Sequence, residues 1–286
     1  MCVEVAGVPA LVYSAVDPAG KGIGKYLLEV LGGSIVREGA DSKVMMLRGL
    51  NALLVEISED IIYAENLDNI VPEASIYVFL SRHSAASGIK SLTTHHTGNP
   101  SGDAPFGGRP YELCIANPPL AYSFLRGLTE ARVRHGLNDF RVTYEVTHHG
   151  PTGLSRPLTF IEIGSSESEW VLREAHEAVG EVVIEALKSL GSVRCVASVG
   201  VGGPHYAEGF SERALRLGEC YGHIIPRYAL KTLRGDEATL RRVVKAAILK
   251  SSIPTERVVV MKKVGAAVRR AVKEVAEELG VELIIA

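Results

Sequence analysis

The sequence predicts an α/β fold built on a mixed, mostly parallel central sheet flanked by helices. Short apolar runs of strand length alternate with stretches of helical period along the whole chain. One run, VRCVASVGV (193–201), is apolar on both faces, as a strand covered by helices on each side must be. With 286 residues, 47% of them hydrophobic and 22% charged, the chain can bury one large core, and residues 1–286 read as a single domain.

The elements follow in order. VPALVYSAVD (8–17) reads as the first strand, and Pro18-Ala19-Gly20 turns it into a helix over 22–31. KVMMLRG (43–49), NALLVEIS (51–58) and SIYVFLS (75–81) are strands by length and by their β-branched and aromatic content. GNPSGDAPFGGRP (98–110) holds four Gly and three Pro, which marks a loop long enough to be functional. A helix follows over 119–135, with proline near its start where the missing N–H costs nothing. FRVTYEV (140–146) and PLTFIEI (157–163) are strands. SSESEW (165–170) opens a long helix, capped by Ser165 or Ser166 with acids in its first turn. Val171, Ala175, Ala178, Val182, Ala186 and Leu190 repeat at helical spacing and form its buried stripe. After strand 193–201, helices are expected near 210–217, 236–250 and 265–280, and VELIIA (281–286) is a last buried strand.

Composition excludes several classes. No apolar run approaches the ~20 residues that span a bilayer. The opening residues lack a basic n-region, so they do not read as a signal peptide. Cys2, Cys114, Cys195 and Cys220 form no C-x-x-C pair, which predicts reduced thiols and a cytoplasmic location. The 17 aromatic residues and the lack of an RNP-like run argue against single-strand base stacking as the main mode of action. Charge is polarised: residues 211–286 carry 15 Lys+Arg against 9 Asp+Glu, a net of +6, leaving −8 for residues 1–210. This fits either a nucleic-acid partner or solvated faces of amphipathic helices.

Eight of the nine histidines lie between His83 and His205. His83, the pair His148 and His149, and His205 each follow a predicted strand. Ligand crevices in open α/β sheets lie beyond the carboxyl ends of strands, so parallel strands would gather these loops on one edge. His95 and His96, in TTHHTGNP, would fold over the same edge. Convergent imidazoles point to a metal site or to acid/base work near neutral pH. Neighbouring residues in extended chain face opposite ways, so unless a turn intervenes, either one histidine of each adjacent pair faces the crevice or each pair spans two sub-sites. No H-E-x-x-H or Cys/His finger occurs. His176 falls off the apolar stripe among Arg173, Glu177 and Glu181, and reads as a solvated residue. His135 and His223 carry no signal.

Glu162, inside TFIEIG, either faces solvent on an edge strand or is buried with a cation or metal. Alternation places it with Phe160 and Gly164, opposite Ile161 and Ile163. Glu145, in TYEVTHH, is open to the same two readings. Gly20-x-Gly22-x-Gly24 has the wrong spacing for a dinucleotide fingerprint, although its backbone N–H groups would suit a phosphate or carboxylate. No G-x-S-x-G elbow and no cysteine nucleophile motif is present.

SRHSAASGIKSLTTHHTGNP (81–100), YEVTHHGPTGLSRPLTFIEIGSSESEW (144–170) and SVGVGGPHYAEGFSERA (198–214) together resemble the archaeal and plant-type D-aminoacyl-tRNA deacylases, and SAVDPAGKGI (14–23) is similar to that family's N-terminus. The resemblance spans essentially the whole chain. It implies a phosphorylase/hydrolase-like fold, hydrolysis of the ester between a D-amino acid and the 3′ end of tRNA, and two zinc ions per chain. The candidate metal ligands are His83, His95, His96, His148, His149, Glu162 and His205. A catalytic zinc would keep a position open for water. Backbone N–H groups of Gly202 and Gly203 are candidate oxyanion donors. A rival route uses His149 or His205 as general base without catalytic metal, and His83 is a further catalytic candidate. Arg213, Arg216, Arg227, Lys231 and Arg234 would then meet tRNA phosphates. The choice of D over L rests on the resemblance alone. Two rival readings stand beside it: a zinc amidohydrolase or peptidase on small acylated amino acids, which would use the same histidines but has no need of the basic C-terminal segment, and a non-catalytic RNA-binding protein, indifferent to loss of His83, His148 or His205.

Overall fold

The computed structural model describes residues 7–286. In chain order its elements are β1 (Val8–Ser14), α1 (Pro18–Leu31), β2 (Gly33–Glu38), β3 (Ser42–Leu47), β4 (Ala52–Ile57), a single 3-10 turn, α2 (Leu67–Ile70), β5 (Ala74–Ser84), β6 (Ser91–His95), α3 (Pro118–Arg134), β7 (Arg141–Tyr144), β8 (Leu158–Ser165), α4 (Glu167–Trp170) and α5 (Arg173–Lys188). The C-terminal third adds β9 (Val196–Val201), α6 (Glu208–Leu217), β10 (Glu219–Ile225), α7 (Arg227–Thr232), α8 (Glu237–Leu249), β11 (Arg257–Val260), α9 (Ala266–Leu279) and β12 (Glu282–Ile285). Among the described residues no helix is long and apolar enough to cross a membrane.

The large sheet has the order β2-β3-β4-β1-β5-β8-β6-β7 and is mixed, with β4, β1, β5 and β8 running parallel at its centre. Ile161 and Ile163 of β8 face a core formed with α1, α3 and α5, while Phe160 faces the opposite core with Phe79 and Leu154. Glu162 therefore opens onto the side away from those helices, as alternation requires. A second sheet, β10-β9-β11-β12, is parallel throughout. Helix α6 packs with α3 on one of its faces, and α8 packs with α9 on the other. Bridges Ala116↔Ser251 and Glu145↔Tyr206 tie the two sheets together.

Several local expectations are revised. The expected long helix after 165 breaks at Val171, which is exposed, so α4 and α5 are separate and Val171 leaves the buried stripe. Leu190 also lies beyond the helix and is exposed. The glycine turn is no phosphate cradle, because the Asp17 carboxylate accepts from Ala19 N–H and Gly20 N–H at 2.9 and 3.1 Å. Those glycines instead allow close packing. A Cβ at Gly20 would stand 2.3 Å from the Leu80 carbonyl, and one at Gly22 would strike the His176 ring at 2.2 Å. His176 is accordingly half-buried against α1, with Nε2 2.7 Å from the Trp170 carbonyl, and is not a solvated residue.

The thiols also differ from expectation. Cys195 and Cys220 form a disulfide with a Cα–Cα distance of 5.6 Å, while Cys114 is free and buried. Cys2 lies outside the described residues. The pair is 25 residues apart in sequence, but β10 lies beside β9 with Cys220 opposite Ala197. Spacing could not reveal it, because the neighbouring strand β10 itself carries no signal that separates it from loop.

Candidate active site

The histidines meet on one face of the large sheet, where the second sheet abuts it. The expected gathering of parallel strand ends does not occur. β6 is antiparallel to β8 and β7 is parallel to β6, so β7 runs against β5, and β9 belongs to the other sheet. What brings the groups together is the face shared by β5, β8 and β6. Register pairs Ser81 with Glu162 and His83 with Gly164, and on the other side pairs His95 with Phe160. The segment after β7 then leaves the sheet and adds Glu145, His148 and His149. His205 arrives from the loop after β9, held by the Val146 N–H donating to its carbonyl at 3.0 Å.

Glu145 is the hub. Its side chain is fully buried, with Oε1 3.1 Å from His83 Nδ1 and Oε2 2.9 Å from His205 Nε2 and 3.5 Å from His148 Nε2. Glu162 Oε2 lies 3.6 Å from His83 Nδ1 and 3.8 Å from His95 Nδ1. His95 Nε2 stands 3.2 Å from His149 Nε2, and the His95 ring stacks on Phe160. His83 is held at its backbone and at its ring: Trp170 Nε1–H donates to its main-chain carbonyl at 2.9 Å, and ring Nε2 lies 3.1 Å from the Tyr206 hydroxyl.

Sequence reasoning left Glu145 out of the candidate set. Its signal was a carboxylate three residues before a histidine pair, at the point where the strand ends. The adjacent histidines behave differently from one another. His149 adopts a left-handed φ of 44°, which turns the chain so that both His148 and His149 enter the cluster. His95 and His96 stay extended, and His96 points away. Its Nδ1 sits 2.8 Å from the Gly222 carbonyl and its Nε2 3.3 Å from Thr159 Oγ1, outside the cluster. It shares that buried layer with His223, which bonds Thr147 and the Cys114 carbonyl.

Burial sets the charge states. It holds His95 and His148 well below the usual imidazole range and His149 down to about 4, so these three are neutral at pH 7. Burial lowers His96 to about 4 and His223 to about 3 by the same cause. For His83 burial works against the cation, but the Glu145 and Glu162 carboxylates outweigh it and raise the pKa. Burial raises Glu162 above the usual carboxylate range. Glu145 moves the other way, since contacts with His205 and His83 overcome its desolvation.

This donor set fits a metal. His95 Nδ1 and Glu162 Oε2 are buried without a hydrogen-bond partner, and the Glu145 oxygens meet imidazole nitrogens at 2.9 to 3.5 Å without hydrogen-bond alignment, a convergence that is costly unless something else binds these atoms. Three groupings bring their ligand atoms within 4.8 Å of one another: His95, His148 and His149; His83, Glu145 and His205; and His95, Glu145 and Glu162. Neutral imidazoles with carboxylate oxygens suit zinc among the common divalent ions.

The cluster floors a cavity of about 820 Å³, bordered by Arg82, Phe106, Arg141 and Tyr206. Phe106, from the Gly/Pro-rich loop, is 62% exposed there. Gly202 and Gly203 do not border this cavity. The Gly202 N–H donates to the Ile225 carbonyl at 2.8 Å and is not free for an oxyanion, while Gly203 lines a neighbouring pocket. The basic candidates also divide. Arg213 is spent on Glu219, with two bonds of 2.8 and 2.6 Å, and is not available to phosphate. Arg216 is exposed in the last turn of α6, at the end far from the cavity, whereas Arg227, Lys231 and Arg234 are exposed in and after α7.

A mixed α/β fold with a buried His/Glu cluster at the base of a substrate-sized cavity is the arrangement of an enzyme that works by metal-site or acid/base chemistry. The profile of the D-aminoacyl-tRNA deacylase family matches residues 70–284. The chain is 45% identical to a D-aminoacyl-tRNA deacylase of Desulfurococcus amylolyticus over 82% of its length and 87% of that protein's. It is 38% identical to the one from Aeropyrum pernix over 96% and 98%. The crystal structure of a conserved protein of unknown function, AF0625, superposes with a TM-score of 0.85 at 32% identity, covering 98% of this chain and 95% of that one. The chain belongs to the D-aminoacyl-tRNA deacylase family.

Proposed function

We propose that the protein hydrolyses the ester joining a D-amino acid to the 3′-terminal ribose of tRNA, with the ester carbonyl over the Glu145 cluster. One observation carries the reading: in a chain of this family, a buried cluster of converging His and Glu donor atoms reaches, through His83, His148, His149, Glu162 and His205, the lining of a cavity large enough for an aminoacylated adenosine. A protein acting on aminoacyl-tRNA would work in the cytoplasm.

His95, His148 and His149 would hold one zinc ion, His83, Glu145 and His205 a second, with Glu162 between them. Bound there, zinc supplies positive charge that favours deprotonation of water and steadies negative charge developing on the ester oxygen. The rest is done by the chain. With the second ion in place His205 serves it as a ligand; in the route without it, Nε2–H of His205 faces Glu145 Oε2 at 2.9 Å, and Nδ1 of this part-exposed ring takes a proton from water and passes it to the leaving ribose oxygen. Phe106 and Tyr206 offer apolar walls for the adenosine, and Arg82 is held at the rim by Asp60 at 3.0 Å. The choice of D over L follows from the family and has no assigned wall in the cavity.

The test is hydrolysis of matched D-Tyr-tRNA and L-Tyr-tRNA before chelation, after chelation and after zinc is restored. Selective loss of the D-ester that chelation stops and zinc recovers is the expected result. Inertness towards both esters in the presence of metal would overturn the reading.

A further inference from the structure

The second sheet has its own crevice, and its chemistry differs from that of the histidine cavity. From β9 the chain passes to β10 on one side and later to β11 on the other. Helix α6 leaves β9 onto the face it shares with α3, while α9 leaves β11 onto the opposite face beside α8. Where successive connections diverge in this way, a gap opens between adjacent strands at their carboxyl ends, and parallel α/β sheets bind ligands there. A pocket of about 400 Å³ occupies that place, with Gly203 and Pro204 from the loop after β9 and Met261 to Val264 from the loop after β11.

Its lining is apolar below and cationic above. Phe210, Met261 and Val264 form the floor, and Arg227, Lys262 and Lys263 stand around the rim. The one acidic side chain on the lining, Glu208, is paired with Arg141 at 2.8 Å, which leaves the rim net positive. Gly203, at φ 95°, carries the backbone across the mouth without a side chain, and the nearest atom a Cβ would meet is 3.5 Å away. A flat apolar slot beneath three cations suits a nucleoside with its phosphodiester: the base and ribose in the slot, the phosphate on the rim. Pro204 and Glu208 line both this pocket and the histidine cavity, so the two are consecutive stations of one groove.

We infer that this pocket binds the nucleotide immediately 5′ of the terminal adenosine in the acceptor strand, with Arg227, Lys262 and Lys263 on its phosphodiester. The inference rests on the reading that the terminal aminoacyl ester occupies the histidine cavity. It gives the positive charge of the C-terminal segment a specific address, supplied mainly by residues after β11.

The experiment compares D-tyrosyl-adenosine, which has no 5′ phosphodiester, with a D-tyrosylated RNA hairpin ending in CCA. Lys262→Ala with Lys263→Ala removes two exposed side chains. We expect the ratio of kcat/KM for the hairpin to that for the adenosine ester to fall ten-fold or more, through KM. The salt dependence of hairpin binding should become shallower by roughly 0.7 per lost contact on a log–log plot. Arginine at both positions should restore most of the ratio. An unchanged ratio, or equal losses on both substrates, would overturn the inference. Affinity for the uncharged hairpin is measured in parallel. If the wild type hydrolyses neither ester but the double variant still loses hairpin affinity, the pocket stands and the deacylase reading fails. If free CMP competes as tightly as the hairpin binds, the pocket belongs to a free nucleotide and the assignment to the acceptor strand is wrong.

Discussion

Glu145 Oε2 lies 2.9 Å from His205 Nε2, joining a carboxylate at the end of β7 to an imidazole carried by the loop after β9. The contact crosses from one sheet to the other. The same carboxylate touches His83 and His148, so one buried side chain aligns groups from three separate segments.

Glu145→Gln keeps the volume and removes the charge. An amide oxygen is a poor metal ligand, and an amide nitrogen cannot accept from His83 or His205 as a carboxylate oxygen does. We expect kcat on the D-ester to fall on the order of 100-fold, with a loss of bound zinc. Elemental analysis of dialysed protein alongside kinetics checks this. Full zinc occupancy and near-normal kcat would show that Glu145 is not the hub.

His95 and His96 are neighbours in sequence with opposite environments, which separates metal binding from stability. His95→Ala should lower zinc content and activity together. His96→Ala should leave zinc content near normal but cost about 2–3 kcal/mol, because it empties a buried site and strands the Gly222 carbonyl. Denaturant titration and metal analysis of the two variants distinguish them. Equal zinc loss in both would place His96 in the metal site.

How much of this was legible beforehand depends on the range of the interactions. Alternation correctly put Glu162 and Phe160 on one face and Ile161 with Ile163 on the other, since that depends only on the pleat. The histidine blocks were visible as motifs. Their mode of convergence was not: it depends on the antiparallel placing of β6 against β8 and on a second sheet, both long-range pairings that leave no local trace. Glu145 was hidden for a related reason, because two of its partners, His83 on β5 and His205 in the loop after β9, are distant in sequence. Arg213 looked like a phosphate ligand until β10 put Glu219 beside it. Only the family resemblance, carried by long ordered motifs, reached past these limits to substrate chemistry.

The Cys195–Cys220 bond ties the start of β10 to the residue before β9. Closing a loop of 25 residues restricts the unfolded chain by about 3 kcal/mol. Cys195→Ser is therefore expected to lower stability by roughly that amount under oxidising conditions, with little change in kcat because the bond lies at the edge of the sheet opposite the cavity. Intact mass with and without reduction before alkylation tests whether the bond forms. A Tm that does not respond to reductant would exclude a stabilising role.

Glu219 offers a pH test away from the His/Glu cluster. Its side chain is fully buried, and burial alone would raise its pKa. Hydrogen bonds from Arg213, Tyr221 and Arg257 outweigh this and hold it below the usual carboxylate range. An unfolded glutamate titrates near ~4.3, so between the folded and unfolded values the unfolded chain binds more protons. The contribution to stability is then complete above about pH 5 and is lost as pH falls through the folded-state value. Glu219→Gln should cost about 3 kcal/mol at pH 7, since it strips part-buried Arg213 of its counter-charge beside Arg257, which keeps Glu282. It should also flatten the acid limb of stability against pH. Urea titrations from pH 3 to 7 measure both effects, and a variant whose acid limb runs parallel to that of the wild type would show that Glu219 does not govern it.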